Sequence, residues 1–329
     1  DALNWRDYSV IRIPYELMPE GFMEEAIVSR SRSSMHSSLF QMEFSGCFGD
    51  DSNGFFSRRL IEKCVDEHSI LMEGIPGHEY VIAVDPASEN DNFCIVIIEV
   101  SKLTRRVVYC WTTTKRLYKE ELKSGRAKED DFYDYAARKI LTLVNKFNVI
   151  GIAIDSQGGG HAIMDRLHSE KVVKKEDGEV PLWKFIDKEK PTDEDGEDGR
   201  HIIESVSFAD AEYTGMANHG MRLDFEIHAL LFPGFDSLTF AEIDLSIDKG
   251  IKYSDMMEEA VVEIEELKNE LASIVMSQTF NGRDKWDTPD EKLAGAKKGR
   301  LRKDRYSALL MANALGKKLF NIKPAADYN

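Results

Sequence analysis

Long apolar runs are missing from this sequence: nowhere do roughly 18 apolar residues follow one another, so a membrane-spanning helix is not expected. Cysteine is scarce. The four present are Cys47, Cys64, Cys94 and Cys110, with no pair at CxxC spacing and no histidine cluster beside them, which argues against zinc. Cys94 and Cys110 lie inside apolar, strand-like runs and read as small core residues, in keeping with a reducing compartment. No Gly-x-x-x-x-Gly-Lys-Ser/Thr loop occurs, so P-loop nucleotide hydrolysis is not expected of this chain. No signal-peptide pattern follows Asp1, as for a segment that starts inside a longer protein. No repeat with a period of about 20 to 50 residues points to a solenoid.

Positive charge is also in deficit. Lys and Arg number 43 against 59 Asp and Glu, a net charge of -16. That is the wrong sign for a nucleic-acid binder, whose phosphate contacts need cations. The distribution matters more than the sum. Asp187–Gly199 holds seven acids and two lysines, whereas Gly295–Arg305 holds six bases and one acid. A local basic stripe of Lys297, Lys298, Arg300, Arg302, Lys303 and Arg305 can touch a phosphate backbone while the rest of the surface stays acidic.

The chain has 329 residues, 42% of them apolar and 31% charged, enough to bury a full core without disulfides. We expect residues 1–75 to be a linker segment packed on the main domain, with a short helix over Phe55–His68 marked by Phe56, Leu60, Ile61 and Cys64. Residues 76–329 are expected to form that main domain, with an acidic insertion or loop around 172–200. Tyr80–Asp85 is an apolar run that stops at an acid and then Pro86, the pattern of a buried strand. Phe93–Val100 and Arg105–Thr113 come after short connections, which predicts an antiparallel meander. Helical spacing from Asp130 to Phe147 precedes a second apolar run, Val149–Asp155, so that strand should lie parallel to the first. Further expectations are a short helix opened by Gly158-Gly159-Gly160, a strand over His201–Phe208, and helices over Ala209–Leu231, Ser254–Met276 and Lys303–Phe320. Glu258, Glu259, Glu263 and Glu266 would lie on the solvated face of the Ser254–Met276 helix. The fold class is α/β, a mixed sheet of antiparallel meander plus parallel strands flanked by helices.

Three acids stand out by position. Asp85 and Asp155 end the two buried strands, and Asp304 begins the last helix after the basic turn. Ligand sites in open sheets form beyond the carboxyl ends of strands. Two strand-end carboxylates with a third from a helix crossing the same edge can hold two Mg2+ or Mn2+ ions roughly 4 Å apart and so hydrolyse a phosphodiester. Asp91, in the connection after Asp85, is a fourth metal-ligand candidate. Asp284, Asp287 and Asp290 are weaker ones in a loop-like stretch, and His161 could approach a phosphate. Each has a structural reading too: turn caps for the strand-end acids, a dipole partner for Asp304, and a tight turn for the glycine triplet.

Val81-Ile82-Ala83-Val84-Asp85-Pro86, Ile152-Ala153-Ile154-Asp155-Ser156 and Arg302-Lys303-Asp304-Arg305-Tyr306-Ser307-Ala308-Leu309 together resemble the nuclease domain of the large terminase subunit of tailed bacteriophages. Phe40–Phe44 through Gly54–Ser57 resembles the stretch before that domain. The resemblance implies a ribonuclease-H-like fold and two-metal cleavage of double-stranded viral DNA during genome packaging. Asp85, Asp155 and Asp304 would be the catalytic acids, and Asp91 matches a further acid that some members carry after the first. It implies as partners DNA, a portal protein and a small terminase subunit in the host cytoplasm, and an isolated domain expected to be monomeric that cuts DNA without pumping it. The carboxylates alone leave other readings open: a junction resolvase or integrase-like nuclease on the same sheet, an actin- or sugar-kinase-like nucleotide binder in which Asp155–Gly160 meets phosphate, or a binding module whose acids are structural.

Overall fold

The computed structural model describes residues 13–19, 21–35, 40, 43–46, 54–86, 92–235, 251–279, 282–291, 299–300 and 302–322. The strands of its main sheet are β1 (Val65–Asp66), β2 (Glu79–Asp85), β3 (Phe93–Val100), β4 (Arg105–Thr113), β5 (Val149–Asp155), β6 (Leu182–Lys184), β7 (Arg200–Val206) and β8 (Leu230–Pro233). They lie in the order β1-β8-β4-β3-β2-β5-β7-β6. β2, β3 and β4 form the antiparallel meander, and β5, β7 and β6 extend it in parallel. This is a mixed sheet of antiparallel meander plus parallel strands, with helices packed on it as the alternation of apolar runs and helical spacing requires.

The centre of the sheet is buried on both faces. All eight residues of β3 are buried, as are Tyr80–Val84 of β2. Near-continuous runs of Val, Ile and Ala suit that position, because neither face has water to solvate a polar side chain. One face is covered by α4 (Phe132–Lys146), where Phe132 meets Phe93 edge-on at 6.1 Å and Tyr135 meets Trp111 at 6.2 Å. The Asp131 carboxylate caps α4 by accepting from the backbone N–H groups of Tyr133 and Asp134. α5 (Gly160–Leu167) packs beside α4, and α3 (Lys115–Lys123) precedes both.

The other layer contains α6 (Ala211–Glu226), α7 (Ile251–Ser273) and α8 (Asp304–Ile322); α8 packs across β2, β3 and β5 and against α6 and α7. Close approach is possible because β5 carries Gly151 under α8: a Cβ there would meet Leu319 at 2.7 Å. Asp224 of α6, almost fully buried, accepts from Arg105 of β4 and from Asn313 and Lys317 of α8, which locks helix layer to sheet. Helices α1 (Glu25–Ser34) and α2 (Arg58–Glu62) precede the sheet. Among the described residues, no helix is long and apolar enough to cross a membrane.

Several boundaries differ from the sequence reading. The helix over Phe55–His68 is only α2, because Cys64 turns into the core and the chain extends as β1 beside β8. Phe55, Phe56, Ile61, Ile70 and Met72 share the core of the main domain. The 172–200 stretch is more than a loop. Leu182 is buried, and β6 pairs with β7 as the edge strand, with the acids left in the turns around it. Leu230–Pro233 is a strand rather than a helix end, and its proline sits at the strand terminus, where it costs no interior ladder bond. A hairpin of β9 (Val275–Gln278) and β10 (Asp284–Asp287) comes after α7, where the sequence predicted helix end and loop. Beyond it lie the short strands β11 (Asp290–Glu291) and β12 (Gly299–Arg300).

Candidate active site

The site is built at one edge of the central sheet. β2 and β5 are parallel neighbours, with Val84 opposite Ile154, so Asp85 and Asp155 leave the sheet side by side at their carboxyl ends. Adjacent strands stand about 4.8 Å apart, which brings the two side chains into one neighbourhood. Helix α8 crosses the same strands and begins at Asp304. Asp304 is tied to the sheet by the backbone N–H of Asn92, one residue before β3, which donates to its Oδ2 at 3.1 Å. The Asp155 Oδ1 accepts from the backbone N–H of Gln157 at 3.0 Å.

Asp85, Asp155 and Asp304 line one cavity of about 490 Å3, together with Gln157, Lys303 and Ser307; the β9–β10 hairpin contributes its other wall. Asp85 feels both of the other acids. Burial, then the charges of Asp304 and Asp155, push the Asp85 carboxyl well above the usual carboxylate range, against the Ser307 hydrogen bond and the Lys303 ammonium. Burial also raises Asp155, with the Gln157 N–H opposing it. A carboxyl held in such a pocket beside like charges is relieved by a proton or a cation. Oxygen donors with no sulfur or imidazole among them suit Mg2+ or Mn2+. Among the described residues, no three His, Cys, Asp or Glu side chains are gathered closely enough to ligate an ion as they stand. The acids instead ring the cavity.

The glycine triplet makes a tight turn at this edge. The chain turns from β5 into α5 so sharply that a Cβ on Gly160 would lie 1.8 Å from the Asp155 carbonyl oxygen. This supports the tight-turn reading of Gly158–Gly160. His161, exposed on α5, is not among the residues that line the cavity.

Residues the sequence reading treated as a single basic stripe are split. Lys303 lines the cavity, its Nζ 3.3 Å from Asp287 Oδ1. Arg302 is exposed and donates to Asn92 Oδ1 at 2.6 Å. Arg300 lies on β12. Lys297, Lys298 and the candidate ligand Asp91 lie outside the described residues. Arg305 is a correction: it is buried rather than offered to a phosphate, with Nε 2.7 Å from Glu263 and Nη1 2.6 Å from Glu270. Its helix position, one residue past Asp304, turns it inward toward α7.

Glu263, expected on a solvated face, is therefore half of an internal ion pair. Glu270 was not singled out, although it continues the acidic series of α7 one turn beyond Glu266. Its buried carboxylate also accepts from the backbone N–H groups of Arg305 and Tyr306 at 2.9 and 3.1 Å, and so caps α8. Asp287 proves to be a buried residue of β10 on the cavity wall, paired with Lys285 at 2.9 Å as well as Lys303. Ser307, three residues after Asp304, lies on the same helix face by helical spacing, and Asn92 had no signal beyond adjacency to Asp91.

No protein-family model matches the chain, and no curated protein does. Solved structures resemble it in shape. The large terminase nuclease from thermophilic phage G20c is 11% identical, with a TM-score of 0.46 over 80% of this chain and 98% of that one; it has also been solved with bound magnesium and with bound cobalt. The large terminase nuclease domain of Thermus phage P74-26 is 11% identical, with a TM-score of 0.44 over 79% of this chain and 94% of that one. The large terminase of bacteriophage HK97 is 13% identical with a TM-score of 0.45; 91% of this chain matches 52% of that one. At such identities and overlaps these are likenesses of shape and say nothing of chemistry.

Proposed function

We propose that the chain is a metal-dependent endonuclease that cleaves double-stranded viral DNA during genome packaging, with Asp85, Asp155 and Asp304 as its catalytic acids. The observation that carries this reading is that three acids far apart in sequence line one cavity, where burial first and then the charges of the other two push the Asp85 carboxyl upward. A chain gains nothing in stability from gathering like charges in a half-buried pocket, so the arrangement calls for a cationic ligand. Mg2+ or Mn2+ bound there as a pair would activate the attacking water and offset the charge on the phosphate.

The chain's own residues do the rest. Asp85 and Asp155 stand on strand ends held by a core buried on both faces, so their oxygens are presented with little freedom. Asp304 closes the set from a capped helix. Lys303 brings a cation to the same cavity and faces charge that builds on an attacked phosphate. Asp91 would be a further ligand, and Lys297, Lys298, Arg300 and Arg302 would contact the duplex backbone outside the cavity. A portal protein and a small terminase subunit in the infected host's cytoplasm are the partners this reading entails.

Supercoiled plasmid incubated with the protein and Mn2+ or Mg2+ tests the proposal. Nicked and linear products are expected, with none in EDTA and none from Asp85→Ala, Asp155→Ala or Asp304→Ala protein that remains folded. Full activity in any one variant at matched metal removes that residue from the site. Activity on branched junctions alone would favour a resolvase instead.

A further inference from the structure

We propose that Glu270 and Arg305 are positioning residues that set the third carboxylate of the site, Asp304, and that Arg305 is not a DNA contact. This rests on the nuclease reading and deepens it.

The sequence places Arg305 in a run of six bases, and a run of that kind suggests phosphate contact. The structure separates it from the others. Its guanidinium bridges Glu263 and Glu270, two acids seven residues apart on α7. Glu270 does more than balance charge. One oxygen takes the Arg305 Nη1, and the other accepts from the backbone N–H groups of Arg305 and Tyr306, the two residues that follow Asp304. The first turn of α8 is thus gripped by its backbone and by a side chain at once. Tyr306 adds a third hold, its hydroxyl donating to buried Asn218 of α6 at 2.5 Å.

Such a grip has a purpose at this end of the helix. Asp304 carries a negative charge into a cavity that already holds Asp85 and Asp155, and repulsion would push the helix start outward. A rigid first turn resists that push and keeps the Asp304 Oδ2 on the Asn92 N–H. Groups that orient a catalytic or ligating side chain in this way usually matter nearly as much as the side chain they hold. A buried ion pair of this geometry contributes little to net stability but fixes one arrangement against others.

The two roles for Arg305 predict different kinetics, read from plasmid cleavage at varied DNA and varied Mn2+ with Glu270→Gln and Arg305→Lys. If the pair positions Asp304, kcat falls and the half-saturating Mn2+ concentration rises, each by roughly ten- to a hundredfold, while KM for DNA stays within about twofold. If Arg305 touches DNA, KM rises and kcat at saturating DNA is retained, which overturns the proposal. So does a Glu270→Gln protein with wild-type kcat and metal dependence. Should Glu270→Gln fail to fold, Glu263→Gln at the outer end of the bridge gives the same readouts, and wild-type values there count against the proposal equally. Metal-free crystal structures of the wild type and Glu270→Gln separate this proposal from the nuclease reading. The Asp304–Asn92 contact should survive in the first and be lost in the second, whether or not the protein cuts DNA; an unmoved Asp304 refutes the positioning role.

Discussion

Along helix α8, buried and half-buried acids are handled in two opposite ways. At its middle, Asp224 accepts from Arg105, Asn313 and Lys317, and each of these groups finds its counterpart within hydrogen-bonding distance. At its N-terminal end, Asp85 and Asp155 make no salt bridge among the described residues, and with Asp304 they crowd one cavity. Elsewhere the chain repeats the first pattern: Asp134 is met by Arg166 and Lys171, and Glu179 by Arg138. On the reading proposed above, the first group holds the fold and the second takes a ligand.

The largest effect that could break this contrast is on catalysis. Replacing Asp85, Asp155 or Asp304 by alanine should lower plasmid cleavage at least about a thousandfold, the scale of several kcal/mol of lost charge stabilisation. Asp224→Ala should leave the residual rate of the folded protein near wild type. A wild-type rate in the first set, or an equal loss in Asp224→Ala at a temperature where it remains folded, would erase the distinction.

Stability should show the reverse ranking. Asp224→Ala strands Arg105 and Lys317 around a buried gap and should cost about 3 to 5 kcal/mol, visible as a lower urea midpoint. Asp85→Asn in EDTA should instead raise stability by about 1 kcal/mol, because it removes a repelled charge. The pH dependence has the same cause. Burial and the neighbouring acids lift the folded Asp85 carboxyl above its unfolded value. The folded chain therefore binds a proton there at a pH where the unfolded chain does not, and metal-free stability should rise as pH falls toward the unfolded value. Asp85→Asn should flatten that slope; an unchanged slope would place its origin elsewhere.

Metal should exchange the roles. Free Mg2+ or Mn2+ at about a hundred times its dissociation constant should stabilise the wild type by about 2.7 kcal/mol if it binds the folded chain alone. Asp85→Asn and Asp304→Ala should gain far less, and Asp224→Asn should gain as much as the wild type. Equal gains in all of them would mean that the ion binds outside the cavity.

The sheet and the places of Asp85 and Asp155 at its strand ends were legible because they obey local rules. Unbroken apolar runs that stop at Asp85 and Asp155 mark buried strands and their ends, and the helix between β4 and β5 fixes the parallel pairing. The start of α8 was legible from its composition. The short strands β1, β6 and β8 were not, because two to four residues give no period to read and their pairing comes from neighbours distant in sequence. The β9–β10 hairpin hid in a polar stretch whose one strong anchor, Trp286, packs on Phe55 and His219, more than 60 residues away in the chain. Arg305 was misread for the same reason: a run of basic residues shows charge, but only the packing of α8 on α7 decides which of them points inward.

The smallest expected effect concerns that divided stripe. Each lysine or arginine that neutralises a phosphate steepens the dependence of DNA affinity on salt, by about one unit in the slope of log K against log salt for a duplex. Arg302 is exposed near the start of α8, with one Nη donating to Asn92. Arg305 has its guanidinium committed to two carboxylates. Arg302→Ala should therefore flatten the slope by about one unit in catalytically dead Asp155→Ala protein, while Arg305→Lys in the same background leaves it unchanged. The dead background matters, because cleavage would otherwise deplete the DNA whose binding is measured. A slope that responds to Arg305 and not to Arg302 would mean that the guanidinium leaves Glu263 and Glu270 when DNA arrives, and the boundary between the acids that hold the fold and the surface that meets the substrate would then run through α7 rather than beside it.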